Sequence, residues 1–141
     1  MLLEREVDLC EPAKRQCIRI GALFDTGAGH SFISKEVAET LDWAERKSYE
    51  PPFIHQGPTK EVMESVSSVW LRFKCSNGKY SSYIEFFAVA GLMPRVIVGA
   101  IAMEQMGARF KLGMEPGEND LTLNCEPLPV GPVGFGSQEV K

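Results

Sequence analysis

The pattern of hydrophobic and polar positions divides the chain into short segments of the kind that form β-strands. Alternation at residues 17–20 passes into the apolar run Ala22-Leu23-Phe24, which predicts a strand buried on both faces. Residues 65–74 alternate clearly, and residues 80–90 form a second strand candidate across Asn77-Gly78, the strongest hairpin signal in the chain. Several short strands at this spacing predict an all-β fold, either a small barrel or a sandwich.

Two short helices interrupt this strand pattern. One is predicted over about Lys35 to Leu41 with Ser34 as its cap, and the other over Ala100 to Met106. Gly107 stands where a helix-terminating glycine belongs. The remaining strand candidates are all short, namely Phe32-Ile33, Val96–Val98, Arg109–Leu112 and Leu121–Leu123.

The same pattern predicts one globular domain with less regular ends. Residues 1–14 mix charges with a proline and are predicted to be a loosely held N-terminal arm, in which Val7–Cys10 could still form a short edge strand. Residues 126–141 are rich in proline and glycine and are predicted to be a flexible tail. The domain between them would span residues 15–125.

Residues 45–60 are polar and rich in turn-forming residues. Phe53-Ile54 before the turn and Val62-Met63 after it are apolar pairs, which predicts a hairpin with a mobile tip.

Composition and charge exclude several classes of function. The net charge is −4, and no Lys/Arg run reaches the length of a nucleic-acid-binding tract, so nucleic acid is not an expected partner. No apolar run approaches the 18 residues of a membrane span, so no membrane partner is expected. The first six residues are too acidic and too briefly apolar for a signal peptide.

The four cysteines bear on two predictions, whether the chain has a structural zinc site and in which cellular compartment it lies. Cys10, Cys17, Cys75 and Cys125 show no Cys-x-x-Cys spacing, and the chain has only two histidines, so no structural zinc site is expected. Scattered cysteines without a secretory signal are typical of buried, reduced thiols, which predicts a cytoplasmic location.

Asp25 is the strongest candidate for chemistry, because it ends a buried apolar run. Burial of a carboxylate costs free energy unless partners or a shared proton compensate. We therefore interpret Asp25 as a catalytic group. The alternative is a turn-forming aspartate that hydrogen-bonds to its own backbone, as is common in Asp-x-Gly loops.

The sequence resembles the retropepsin-like aspartic proteases at two places. The run into Asp25-Thr26-Gly27-Ala28, followed by Ser31-Phe32-Ile33-Ser34, is similar to their active-site turn. About seventy residues later, Ile97-Val98-Gly99 looks like their second signature, and residues 104–108 match the way in which the family leaves the following helix. The resemblance covers about residues 15 to 112.

The resemblance implies a small closed all-β barrel with one or two short helices, working as a homodimer. Each subunit would supply one Asp25, and the pair would activate a water that hydrolyses a peptide bond, with no cofactor and no metal. Thr26 would hydrogen-bond across the dimer axis, Gly27 would let the substrate backbone approach closely, and Ala28 would complete the loop.

The resemblance also implies a substrate. An extended protein or peptide would lie beneath the hairpin and hydrogen-bond main chain to main chain, as an added strand does. The candidate substrate-binding residues are Gly29, His30, Ile54, His55, Gln56, Gly57, Ile97 and Gly99. For the two histidines, the plainer interpretation is that they are exposed loop side chains.

The sequence departs from the family near the active-site turn. Retroviral members usually carry acidic residues after the alanine and an arginine after the second glycine, where this chain has Gly29, His30 and Ala100. The departure indicates a different way of bracing the loop and a different substrate preference. The strand that would form the dimer stays open between Arg109–Leu112, Leu121–Cys125 and the N-terminal arm.

Two other interpretations belong to different classes. The chain could be a catalytically silent dimeric module of the same fold that binds extended peptides or builds assemblies. It could also be a protease domain cut from a larger polyprotein.

Overall fold

The computed structural model describes residues 2–12, 16–41, 45–56, 62–75, 78–111, 120–123 and 125. Strands predominate in this part of the chain, and the two helices are short, which confirms the predicted all-β class. In chain order the elements are β1 (Leu2–Cys10), β2 (Cys17–Asp25), β3 (Ser31–Ser34), α1 (Lys35–Thr40), β4 (Glu45–Gln56), β5 (Val62–Lys74), β6 (Ile84–Val89), β7 (Val96–Val98), α2 (Ala100–Met106), β8 (Arg109–Lys111) and β9 (Asp120–Thr122).

Seven strands form one sheet in the order β1-β2-β7-β3-β6-β5-β4. Asp8–Cys10 of β1 also pair with Arg72–Lys74 of β5, so six of the strands close into a ring. β4 lies outside that ring and pairs with β5 to make the predicted hairpin. β8 and β9 pair with each other in a separate two-stranded sheet.

β7 places the two family-like segments next to each other. It runs parallel to β2, with Leu23 opposite Ile97, and antiparallel to β3, with Phe32 opposite Ile97. All three residues of β7 are buried, as expected for a short strand between two neighbours. The end of β2 therefore lies beside the residue that follows β7.

Two hydrophobic clusters fill the structure. The larger one occupies the inside of the ring, and its fully buried side chains include Phe24, Phe73, Phe86 and Met106. The smaller cluster comprises Phe32, Phe87, Val89, Leu92 and Ile97, against which Ala28, Tyr49, Phe53 and Met63 pack. The smaller cluster joins β3, β6 and β7 to the hairpin, so it determines how the hairpin sits over the end of β2.

The two helices begin and end close to the predicted residues. Ser34 caps α1, since its Oγ accepts a hydrogen bond from the Val37 amide at 3.0 Å. Gly107 follows α2 with a φ of 64°, the left-handed conformation that glycine adopts without strain. Neither helix, nor any other in the described part of the chain, is long and apolar enough to cross a membrane.

β1 differs from the predicted N-terminal arm. Leu2–Cys10 pair with β2 along their whole length, from Leu2 opposite Asp25 to Cys10 opposite Cys17. Glu4 and Glu6 are exposed while Val7 and Leu9 are buried, so these two acidic residues mark the outer face of a strand. The proposed domain boundaries involve residues 13–15 and 126–141, which lie outside the described residues.

β4 differs from the polar turn that residues 45–60 suggested. It is a strand of twelve residues, and its register with β5 shifts between Ser48 and Phe53, where the two prolines fall. Proline has no N–H to donate and is therefore tolerated on a strand that has a neighbour on one side. The predicted hairpin tip at residues 57–60 lies outside the described residues, as does Asn77 of the other predicted turn.

The interpretation of the cysteines as reduced thiols is wrong. Cys10 is bonded to Cys17 and Cys75 is bonded to Cys125, which leaves no free cysteine in the described chain. The first pair joins residues directly opposite each other on β1 and β2, and the second joins positions fifty residues apart, so spacing alone did not reveal them. Since disulfides persist mainly in oxidising compartments, the reason for predicting a cytoplasmic location is removed.

Candidate active site

Asp25 lies at the end of β2 and is only 7% exposed. Its Oδ1 accepts a hydrogen bond from the Gly27 amide at 2.9 Å, and its carbonyl oxygen accepts one from the Ala28 amide at 3.1 Å. These are the bonds of a turn-forming aspartate, so they fix the carboxylate without by themselves assigning it a role. Its burial and the cavity beside it are the features that a surface turn lacks.

The loop after Asp25 is braced by the start of α2. The Ala100 amide donates to the Ala28 carbonyl oxygen at 2.6 Å, and the Ile101 amide donates to the Gly29 carbonyl oxygen at 3.3 Å. The first amides of a helix have no partner within the helix, so these two bonds satisfy both the helix and the loop. This brace consists of backbone groups, with the Ala28 and Gly29 carbonyl oxygens as acceptors.

Ser31 and Gly99 complete the brace. Ser31 is buried, and its Oγ accepts a hydrogen bond from the Gly99 amide at 3.0 Å. A Cβ on Gly99 would lie 2.7 Å from the His30 carbonyl carbon and 2.8 Å from the Ala28 carbonyl oxygen, and closer still to the His30 carbonyl oxygen. Because these are backbone atoms, they cannot move aside as a flexible side chain can, and only glycine fits.

A cavity of about 560 Å³ opens beside Asp25. The loop, β3, the β4–β5 hairpin and β7 all contribute to its wall. The lining residues are Asp25, Gly27, Ala28, Gly29, His30, Phe32, Phe53, Ile54, His55, Met63 and Ile97. Its volume is in the range of sites that bind small molecules or peptide side chains.

Aromatic rings form part of the cavity wall. His55 stacks on Phe53 with ring centroids 4.4 Å apart and meets Phe32 edge-on at 4.8 Å. Its ring centroid lies 4.7 Å from that of Phe87 and 5.8 Å from that of His30. His55 is 7% exposed, and its Nε2 is buried with no hydrogen-bond partner in the described structure.

The surroundings of His55 disfavour its charged form. Burial, and secondarily repulsion by His30, lower the pKa of His55 below its ordinary value of 6.5. The titratable residues in the cavity lining are therefore Asp25, an exposed histidine and a buried histidine that resists protonation. The described residues contain no group of three or more His, Cys, Asp or Glu side chains that could hold a metal ion.

A hydrogen-bonded network lies behind the aromatic rings. The Tyr49 hydroxyl donates to Glu85 Oε2, and the Ser68 hydroxyl donates to the same oxygen at 2.6 Å. Burial, and then the hydrogen bond to Glu85, raise the pKa of Tyr49. The Tyr49 ring packs on Phe53 and Phe87, at 5.7 and 5.6 Å, so the network ties β4, β5 and β6 together.

The structure brings together most of the predicted site residues. Those that line the cavity are Asp25, Gly27, Ala28, Gly29, His30, Ile54, His55 and Ile97. Thr26 is exposed and does not line it, and Gly99 contributes by bracing the loop. Gln56 pairs with Val62 at the end of the hairpin, and Gly57 lies outside the described residues. The interpretation of His55 as an exposed side chain is wrong, whereas His30 is exposed.

Sequence reasoning missed Phe32, Phe53, Met63 and Phe87 as parts of this site, and it gave Ser31 no role. Met63 lies directly opposite His55 in the hairpin, so the predicted pairing of the two strands could have identified it. Phe87 lies opposite Phe32 on the neighbouring strand, and no local pattern marks that contact.

No protein-family model and no curated protein matches the sequence. Solved structures do match. The retroviral protease-like domain of Ddi1 from Leishmania major aligns with 88% of this chain and 93% of its own length, at 15% identity and a TM-score of 0.53. A retropepsin-like aspartic protease from Rickettsia conorii aligns with 86% of this chain and 90% of its own, at 14% identity and a TM-score of 0.45.

The likeness to the Leishmania domain shows that this chain has the fold of retropepsin-like protease domains. It was expected from the residues around Asp25 and Ile97, and the fold places those residues side by side. At this level of identity the comparison concerns the fold, and the activity has to be argued from the site.

Proposed function

We propose that the chain is an aspartic endopeptidase that acts as a homodimer and belongs to the retropepsin-like aspartic proteases. The observation that carries the proposal is the position of Asp25, a buried carboxylate at the end of β2 that is oriented by the Gly27 amide and borders a peptide-sized cavity. A binding module would gain nothing from burying a carboxylate at that point, whereas hydrolysis by activated water requires one.

The proposed dimer follows from the number of carboxylates in the cavity. Asp25 is the sole carboxylate among the lining residues that the structure describes, and aspartic-protease chemistry needs two. A two-fold interface brings identical patches together, so a second copy of the chain would supply the second Asp25. Two carboxylates a few ångströms apart share one proton and titrate as a pair.

The pair would divide the work between its two members. The ionised carboxylate takes a proton from a water held between the two side chains, and that water attacks the scissile carbonyl carbon. The protonated carboxyl group gives its proton to the carbonyl oxygen, which neutralises the developing negative charge. When the tetrahedral intermediate collapses, the C–N bond breaks, the proton taken from the water passes to the leaving amine, and the other carboxylate recovers its proton from the intermediate's hydroxyl. The hydrogen bond from Gly27 to Oδ1 favours one orientation of the carboxylate throughout.

The proposed substrate is a protein or peptide segment in an extended conformation, lying between the hairpin and the Asp25 loop. A Cβ built on Gly29 meets nothing within 4 Å, so the loop leaves space beside it. Ile54 is 56% exposed on the hairpin, and burial of such a side chain by a bound strand is favourable. Ile97 would line a pocket for a substrate side chain.

The test compares the wild type with Asp25→Asn on a peptide library between acidic and neutral pH, with a pepstatin-type inhibitor as a second probe. Asparagine keeps the shape and can still accept the Gly27 hydrogen bond, but it cannot be the base. We expect cleavage to fall by roughly 10⁴-fold. Asp8→Asn is the matched control, because it removes a carboxylate that pairs with Arg19 on the surface, and it should retain full activity.

Equal cleavage by the wild type and Asp25→Asn would overturn the proposal. Peptide binding by the wild type with no cleavage at any pH would favour the catalytically silent module instead. Sedimentation at micromolar concentration tests the dimer separately, since a strict monomer leaves each Asp25 without its partner.

A further inference from the structure

The polar groups of the cavity are few and unevenly placed. Among the described lining residues only Asp25, His30 and His55 have polar side chains, and the other eight are glycine, alanine or apolar. His30 belongs to the loop after Asp25 and His55 belongs to β4 of the hairpin, and their ring centroids lie 5.8 Å apart. The imidazoles are therefore the only side chains of the described lining, apart from Asp25, that can hydrogen-bond to a substrate.

His55 has an unsatisfied hydrogen-bonding atom. Its Nε2 is buried and has no partner among the described residues. Leaving such an atom unpaired is unfavourable, so its missing partner calls for an explanation. Since His55 forms part of the cavity wall, a bound ligand is the group best placed to supply the missing partner.

The neighbours of His55 define what that partner can be. The loop contributes His30, while Phe32 on β3, Phe53 on β4 and Phe87 on β6 are uncharged rings. Asp25 is the other titratable group among the described lining residues, and these include no lysine or arginine. Each neutral imidazole offers one N–H donor and one acceptor nitrogen, and a protonated imidazole offers two donors. With its proton on Nε2, neutral His55 needs an acceptor as the missing partner.

We propose that His30 and His55 are specificity-determining residues that select a substrate side chain ending in a carboxylate. A carboxylate has only acceptor oxygens, so it can take an N–H from each imidazole. Hydrogen bonds to a charged acceptor are the stronger kind, and they offset the cost of bringing the carboxylate among aromatic rings. An apolar side chain would leave Nε2 unpaired, and a lysine or arginine would bring donors but no acceptor.

This inference rests on the proposed function only in taking a peptide as the ligand, so it can be tested without cleavage. The Asp25→Asn protein is titrated with fluorescent peptides in which one position at a time is Glu, Gln or Leu. At one position we expect the Glu peptide to bind roughly 10-fold more tightly than the Leu peptide, as one or two hydrogen bonds to a charged group would give. The Gln peptide should fall between the two.

The histidine variants then show whether the imidazoles cause that preference. His55→Phe keeps a ring in the aromatic cluster but removes both nitrogens, and His30→Ala removes the donor from an exposed side chain with little risk to folding. Each should reduce the Glu-over-Leu preference to within about twofold while the affinity for the Leu peptide stays the same. Val66→Thr on an exposed part of β5 outside the cavity is the matched control and should keep the preference.

The outcomes separate the two proposals. Equal binding of Glu and Leu peptides by the Asp25→Asn protein, or a preference that survives both histidine variants, would overturn the inference. A Glu preference in a wild type that cleaves nothing would uphold the inference and overturn the protease assignment. Cleavage by the wild type without a preference for Glu would uphold the protease assignment and overturn the inference.

Discussion

The two walls of the cavity are held in place by different kinds of interaction. The floor, formed by residues 25–31, β7 and the start of α2, is held by backbone hydrogen bonds between the loop and the helix and by one serine hydroxyl. The roof, formed by the β4–β5 hairpin, is held to the rest of the site by packed rings and by the Tyr49–Glu85 network.

This difference predicts how each wall tolerates amino-acid substitutions. On the floor, peptide groups lie so close together that Gly99 has no room for a methyl group. On the roof, Ile54, Val62 and Val66 are all more than half exposed, and side chains supply the contacts. Substitutions should therefore act sharply on the floor and gradually on the roof.

Gly99→Ala should have the largest effect. The added Cβ would overlap the carbonyl groups of His30 and Ala28, so the loop and α2 must separate. We expect the free energy of unfolding, measured by urea denaturation, to fall by about 3 kcal/mol or more, together with loss of peptide binding.

Gly21→Ala is the control for that substitution, because a Cβ on Gly21 meets nothing within 4 Å. Its stability should be unchanged or raised by about 0.5 kcal/mol, since alanine reduces the entropy of the unfolded chain. If the two alanine variants are equally stable, the floor is not the tightly packed region inferred here.

Ser31→Ala should have the next largest effect. It leaves the Gly99 amide buried without its acceptor, which costs about 1–3 kcal/mol. Hydrogen exchange at the Gly99 amide should become faster, and that readout separates loss of this bond from a general loosening. Ser48→Ala on an exposed part of the roof should change neither quantity.

Much of the floor could be predicted from the sequence, because its signals are local. An apolar run ending at Asp25 and a second ending at Gly99 define two strand ends, and the resemblance to retropepsin-like proteases put them side by side. The role of Ser31 escaped prediction, since its hydrogen bond to Gly99 joins residues 68 positions apart.

The roof and the closure of the sheet were harder to predict for the same physical reason. The strands of the hairpin were expected, but the packing of Phe53 on Phe87 depends on the way in which the sheet curves. The charges of β1 indicated an arm, although Glu4 and Glu6 lie on the outer face of a strand that closes the ring. The pattern of polar and apolar residues along a strand predicts which face is buried. It carries little information about which distant strand packs against that face.

Tyr49→Phe tests the roof with a smaller expected effect. The ring stays in place, but the hydrogen bond to Glu85 is lost, so the free energy of unfolding should fall by about 1 kcal/mol. Hydrogen exchange in β4 should accelerate while exchange at Gly99 stays slow. Tyr83→Phe is the control, because Tyr83 is 41% exposed and its ring contact with Arg72 survives. A larger loss than that of Ser31→Ala would reverse the ranking of floor and roof.

The smallest expected effect is a dependence of roof stability on pH. The pKa of His55 is lowered in the folded state, chiefly by burial and then by His30, whereas in the unfolded chain it has its ordinary value of 6.5. As the pH falls through that value, the unfolded chain gains a proton that the folded protein takes up only at lower pH, so the free energy of unfolding falls.

Urea denaturation at about pH 7.5 and about pH 5.5 measures this effect, because histidine changes its charge between them. The wild type should lose more stability between the two conditions than His55→Phe, whose folded and unfolded states bind no proton at that position. Carboxylates that titrate in the same range contribute to both proteins, so they cancel in the comparison. An identical loss of stability in both proteins would mean that the roof accommodates a charged imidazole. The aromatic rings around His55 would then be packed less tightly than their contacts indicate.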